Sequence, residues 1–204
     1  NRRVEIVAHS LGTHVTLNLL RVLASNQHVR ALLPGIHRIV LMGGAEFVYH
    51  ARRTYSVLET IRDASGQALL NHLHIYNFIS REDEVVSVIA GAVTYGPLGT
   101  EKHMIGYHGL QRGERPDNWI DLNLTNDDLV QWAQNQFGLG LSGDAPNEWL
   151  DHWHFFVHDD NTEFMRRILR GETAMDISSL RSAGIPDGAP QLEQSQTSWA
   201  DEIP

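Results

Sequence analysis

Apolar and polar positions along this chain follow two periods, and the switch between them marks its elements. Val4 to Ala8 is a short apolar run with β-branched residues, which predicts a strand buried on both faces. From Leu11 to Ala24 the residues Leu11, Val15, Leu19 and Val22 recur every three or four positions and predict a helix. Arg38 to Gly44 (RIVLMGG) reads as a second buried strand ending in glycines, followed by a helix around Ala51 to Arg62. Leu73 to Ser80 (LHIYNFIS) and Trp119 to Leu124 (WIDLNL) read as a third and a fourth strand. Thr125 with Asp128, and Asp160 with Glu163, have the spacing of capping boxes and predict helices running to Phe137 and to Leu169.

Strands alternating with helices predict an α/β class over residues 1–170, a mostly parallel sheet flanked by helices. Residues 84–118 are glycine-rich and without clear period, as expected of a loop or lid over a site. From Gly171 onward Pro, Ser, Gln and acidic residues dominate, so 171–204 is expected to be a flexible tail.

Composition narrows the partners. With 204 residues, 42% hydrophobic and 20% charged, the chain has enough apolar material for one domain with a sizeable core. A net charge of -9 without Lys/Arg runs disfavours nucleic acid and anionic lipid as partners. No apolar stretch approaches the length of a membrane-spanning helix. The absence of cysteine excludes disulfides, thiolate metal sites and cysteine nucleophiles. Histidine is the abundant titratable residue, at 12.

Candidate chemistry centres on the stretch VEIVAHSLGTH, where Ser10 lies between the first strand pattern and the first helix pattern. A serine hydroxyl is a weak nucleophile until a base takes its proton and the backbone exposes it. A sharp strand-to-helix turn does the second, and also aims backbone N–H groups at a developing oxyanion. Such a turn crowds the positions two before and two after the serine, here Ala8 and Gly12, with His9 and Leu11 between. A plainer role for Ser10 is N-cap of the helix.

The segment AHSLG resembles the G-x-S-x-G nucleophile elbow of the α/β-hydrolases, with alanine in place of the first glycine. That family's chain order is Ser, acid, His. The resemblance implies Asp83 as the acid, from the strand-then-acid stretch HIYNFISREDEVV, where Glu82 and Glu84 flank it. Asp121 is a weaker rival, inside a strand pattern. It further implies a histidine just before the last helix, where WLDHWHFFVHDDNTEF offers His152, then His154, with His158 peripheral. The implied activity is hydrolysis of a small-molecule ester or related acyl substrate, with Leu11 N–H in the oxyanion hole.

The likeness covers residues 4–170 and only the second half of a complete hydrolase of that family. The chain starts at Asn1 without methionine, so it reads as part of a longer protein and is expected to be inactive alone. A sheet beginning at Val4 would carry an apolar edge. Two rival classes stand beside the enzyme: a non-catalytic binding module on the same fold, and a metal site built from His72 and His74 or from His152 and His154. No HExxH motif supports the metal site, and MGG, GPLG and GLGLSG do not make a dinucleotide or P-loop signature. No cofactor is therefore expected, and no metal.

Overall fold

The computed structural model of the chain describes residues 3–62, 66–80, 83, 85–86, 104–110, 116–143 and 151–187. Four strands make one parallel sheet in the order β1-β2-β3-β4: β1 Val4–His9, β2 Ile36–Met42, β3 His74–Ile79 and β4 Trp119–Asn123. The fold is α/β. Three successive strands in parallel require crossovers, and α1 (Leu11–Ser25) and α2 (Val48–Glu59) supply the first two.

Period-2 alternation along the strands divides the core between the two faces of the sheet. Ile39, Leu41 and Ile75 point to one face, where Leu17 and Leu20 of α1 and Ala51, Tyr55 and Leu58 of α2 cover them. Val40, Met42, Tyr76, Phe78, Ile120 and Leu122 point to the other. There they meet α4 (Asp127–Phe137) through Leu129 and Ala133, and α6 (Asp159–Arg170) through Phe164 and Ile168. Each such fully buried aliphatic or aromatic side chain contributes about 1.5–3 kcal/mol. The one-turn helices α3 (Ile105–His108) and α5 (His154–Val157) and the short α7 (Ile177–Ser182) complete the order.

Four expectations change. First, β1 is not buried on both faces: Val4 and Val7 are exposed, because β1 lies at an edge of the described sheet. Second, the periodic stripe that predicted α1 is its outer face, with Val15 at 65% and Val22 at 58% exposure, while Leu17, Leu20, Leu23 and Ala24 face the core. The helix carries two apolar stripes, and periodicity does not say which one packs. Third, neither capping box forms. Asn126 caps α4 by accepting from Leu129 N–H (3.1 Å), one residue after Thr125. Asp160 instead accepts from Gly140 N–H (2.8 Å), and Glu163 turns to Arg167 and Arg170.

Fourth, residues 171–187 are packed rather than loose. Met175, Ile177, Leu180 and Ile185 are buried in the second core. Arg181 donates to Trp119 C=O (2.8 Å), and Asp187 accepts from Asp121 N–H (2.9 Å), tying this segment to β4. Polar composition hid four well-spaced apolar residues. Residues 188–204 lie outside the described residues. So does most of the expected lid, 87–103 and 111–115. Among the described residues no helix is long and apolar enough to cross a membrane.

Candidate active site

One residue separates β1 from α1, and the chain must reverse there. Ser10 takes φ 54 and ψ -125, and among the described residues it is the one non-glycine with positive φ. Backbone in that region costs on the order of 1–3 kcal/mol and persists where its surroundings hold it. The hold is visible. Ser10 N–H donates to Met42 C=O (3.0 Å), and Ser10 C=O accepts from Thr13 N–H (3.0 Å) and Ala45 N–H (3.2 Å). The Ser10 side chain makes no capping hydrogen bond to α1, so a helix cap is not what this hydroxyl does. Leu11 opens α1, and its N–H belongs to the first turn, where no intrahelical acceptor exists.

Ala8 and Gly12 do face each other across this turn. A Cβ at position 12 would lie 3.7 Å from the Ala8 Cβ, an ordinary contact, so the turn asks for a small residue there rather than for glycine.

The segment after β3 carries the candidate acid. Asp83, just past β3, is fully buried, and its Oδ1 accepts from Val86 N–H (3.0 Å). His152 comes from the 3₁₀ turn Asp151–Trp153, and its Nδ1 lies 2.8 Å from Asp83 Oδ2 and 3.1 Å from Oδ1. A carboxylate only accepts, so Nδ1 carries the proton and Nε2 the lone pair. Nε2 is buried and has no hydrogen-bond partner among the described residues. An imidazole nitrogen buried without a partner costs free energy.

Ser10 and His152 approach through their neighbours, with no hydrogen bond between their side chains. Gly43, just past β2, lies against the Asp83–His152 pair: φ is +50, and a Cβ there would meet Asp83 Oδ2 at 2.8 Å, Phe155 Cε2 at 2.9 Å and His152 Cε1 at 3.2 Å. No side chain fits. His9, the residue before the serine, donates from Nε2 to His152 C=O (2.7 Å). Its ring lies 4.3 Å from that of His152 and 4.8 Å from that of Trp153. Burial holds the His9 pKa below the ordinary histidine value, with the hydrogen bond to the His152 carbonyl acting the other way. Ser10, Gly43 and Asp83 thus follow β1, β2 and β3 at the carboxyl edge of a parallel sheet, where ligands of open α/β sheets bind.

The rivals go elsewhere. Asp121 Oδ1 accepts from Asn77 Nδ2–H and Trp119 Nε1–H (both 2.8 Å), and Oδ2 from Leu110 N–H (2.7 Å). It is the centre of a structural knot. His154 is buried against Phe155, ring centroids 3.8 Å apart, and His158 precedes α6. Glu82 and Glu84 lie outside the described residues. Among the described residues no group of three or more histidine or carboxylate side chains is placed to hold a metal ion.

Two features had no sequence signal. Glu46, buried one residue past Ala45, accepts from Phe47 N–H (2.8 Å) and meets Nδ1 of His14 (2.7 Å) and of His50 (3.1 Å), joining the starts of α1 and α2. Separately, α3 rests on the Gly43–Gly44 turn. Gly106 N–H donates to Gly44 C=O (3.0 Å), and a Cβ at position 106 would collide with Gly44 N. Asn77 holds the shelf by donating to Ile105 C=O (2.8 Å).

No protein-family model, curated protein or solved structure matches this chain.

Proposed function

We propose that this protein is a serine hydrolase of α/β-hydrolase type, acting on a carboxylic ester or related acyl compound. The observation that carries the reading is the buried Asp83–His152 pair, its Nε2 without a hydrogen-bond partner among the described residues, near the strained turn at Ser10.

Asp83 fixes the imidazole with its proton on Nδ1 and stabilises the imidazolium that forms. Ser10 Oγ attacks the acyl carbon while its proton passes to His152 Nε2. The carbonyl oxygen becomes an oxyanion, which Leu11 N–H stabilises. As the tetrahedral species collapses, the bond to the leaving oxygen breaks and Nε2 protonates the departing alkoxide. Water then attacks the acyl-serine, gives its proton to Nε2, and the acid leaves as the proton returns to Oγ. One ester and one water become one acid and one alcohol. This step needs a Ser10–His152 hydrogen bond that is to form with substrate bound, since nucleophile–base contacts tighten in the Michaelis complex.

Fluorophosphonate labelling of the full-length protein, with the modified peptide mapped by mass spectrometry, tests this directly. Label is expected on Ser10, and Ser10→Ala is expected to abolish it and to lower ester hydrolysis by at least about 10³-fold. Absence of label on Ser10 would overturn the reading and favour a binding module on the same fold.

A further inference from the structure

We infer that His9 is a positioning residue: its hydrogen bond to the His152 carbonyl locks the base in register with the nucleophile next to it in the chain. The inference rests on the hydrolase reading above and deepens it.

Asp83 bonds to the ring of His152 and so sets how the imidazole turns. It does nothing for the backbone that carries the ring, which is the short 3₁₀ turn Asp151–Trp153. His9 holds that backbone, with Nε2–H donating to His152 C=O at 2.7 Å. The carbonyl can only accept, so His9 is the Nε2–H tautomer, with no second proton needed. Its ring also lies against His152, Trp153 and Phe156, at 4.3, 4.8 and 5.2 Å between centroids. Residues 9 and 10 are consecutive, so two adjacent side chains address one histidine 143 positions away in the chain. One grips its main chain, and the other is to use its Nε2.

Register along β1 helps. His9 pairs with Met42, the residue before Gly43, where an added Cβ would come within 3.2 Å of His152 Cε1. The ends of β1 and β2 therefore both lie close to His152. Packing alone would be met by any aromatic ring at position 9, whereas the carbonyl needs a donor at that reach. A single net hydrogen bond adds little to stability, while a small displacement of a reacting group costs rate steeply. A positioning role therefore predicts a loss of rate far out of proportion to any loss of stability.

The experiment is fluorophosphonate inactivation kinetics on the full-length protein, separating kinact from KI, with thermal unfolding run in parallel. His9→Phe keeps the ring contacts and removes the donor; His9→Gln restores an N–H at similar reach. The expected result is a kinact about 10- to 100-fold lower in His9→Phe, as for a displaced reacting group. KI and the unfolding midpoint should stay close to wild type, and His9→Gln should recover most of the rate. Wild-type kinact in His9→Phe, or no recovery in His9→Gln, overturns the inference. Should His9→Phe not fold, His9→Asn, whose amide stops short of the carbonyl, takes its place with the same loss of kinact expected. Wild type that takes no label at Ser10 overturns the hydrolase reading and this inference with it; a labelled wild type with unaffected variants overturns the inference alone.

Discussion

Asp83 and Asp121 are both fully buried, yet they do opposite jobs. Among the described residues Asp121 receives hydrogen bonds from a side-chain amide, an indole and a backbone N–H, none of which titrates. These bonds tie β3, β4 and the shelf at 104–110 together. Among the described residues Asp83 receives one backbone N–H and faces an imidazole whose far nitrogen has no hydrogen-bond partner. The carboxylates are chemically identical and equally hidden from water. What separates a strut from a candidate catalytic group is whether the partner can gain and lose a proton.

The contrast is tested hardest by replacing each aspartate with asparagine. Asp83→Asn keeps an acceptor for Val86 N–H but no longer demands a proton on His152 Nδ1, so fluorophosphonate labelling should slow by about 10³–10⁴-fold. Its unfolding midpoint should move little. Asp121→Asn should do the reverse. An amide NH₂ must now face one of three donors, which costs about 1–3 kcal/mol in denaturant unfolding, while labelling of the folded fraction should change far less. Equal effects of both variants on both measurements would erase the distinction.

Acid should act next most strongly. Burial lowers the pKa of His9 and of His74 below the usual 6.5, so each takes up a proton more readily in the unfolded chain. Stability is then complete above that value, falls as the pH drops through it, and levels off beneath the folded-state values. Thermal midpoints measured across that window should show the decline. The smallest effect is expected at the elbow itself. Gly12→Ala adds a methyl at ordinary contact distance from Ala8 and a better helix former to the first turn of α1. Unfolding should show a gain of at most about 1 kcal/mol.

Much of the fold was legible along the chain. All four strands and both long crossover helices lie within a few residues of where the periods place them, because alternation of two and of 3.6 survives in any context. What the periods left out is which face packs. In α1 the stripe through Leu11, Val15, Leu19 and Val22 was the visible one, and the stripe through Leu17, Leu20 and Leu23 is the buried one. Residues 171–187 depart from expectation for a related reason: average composition dilutes the few apolar residues that decide burial.

The residues of the candidate site were legible as types in an order, Ser10 first, an acid after β3, a histidine before α6. Local sequence by itself determined the strand–turn–helix at Ser10, since an apolar run, small flanking residues and a helical period meet there. Only the tertiary structure decided that His152 meets a buried carboxylate, and that among the described residues Asp83 rather than Asp121 is that carboxylate. It also decided that Gly43 has no room for a side chain and that His9 grips the turn carrying the base. The physical reason is separation along the chain. Contacts 69 and 143 residues apart exist because parallel strands bring their carboxyl ends to one edge, which no local pattern encodes.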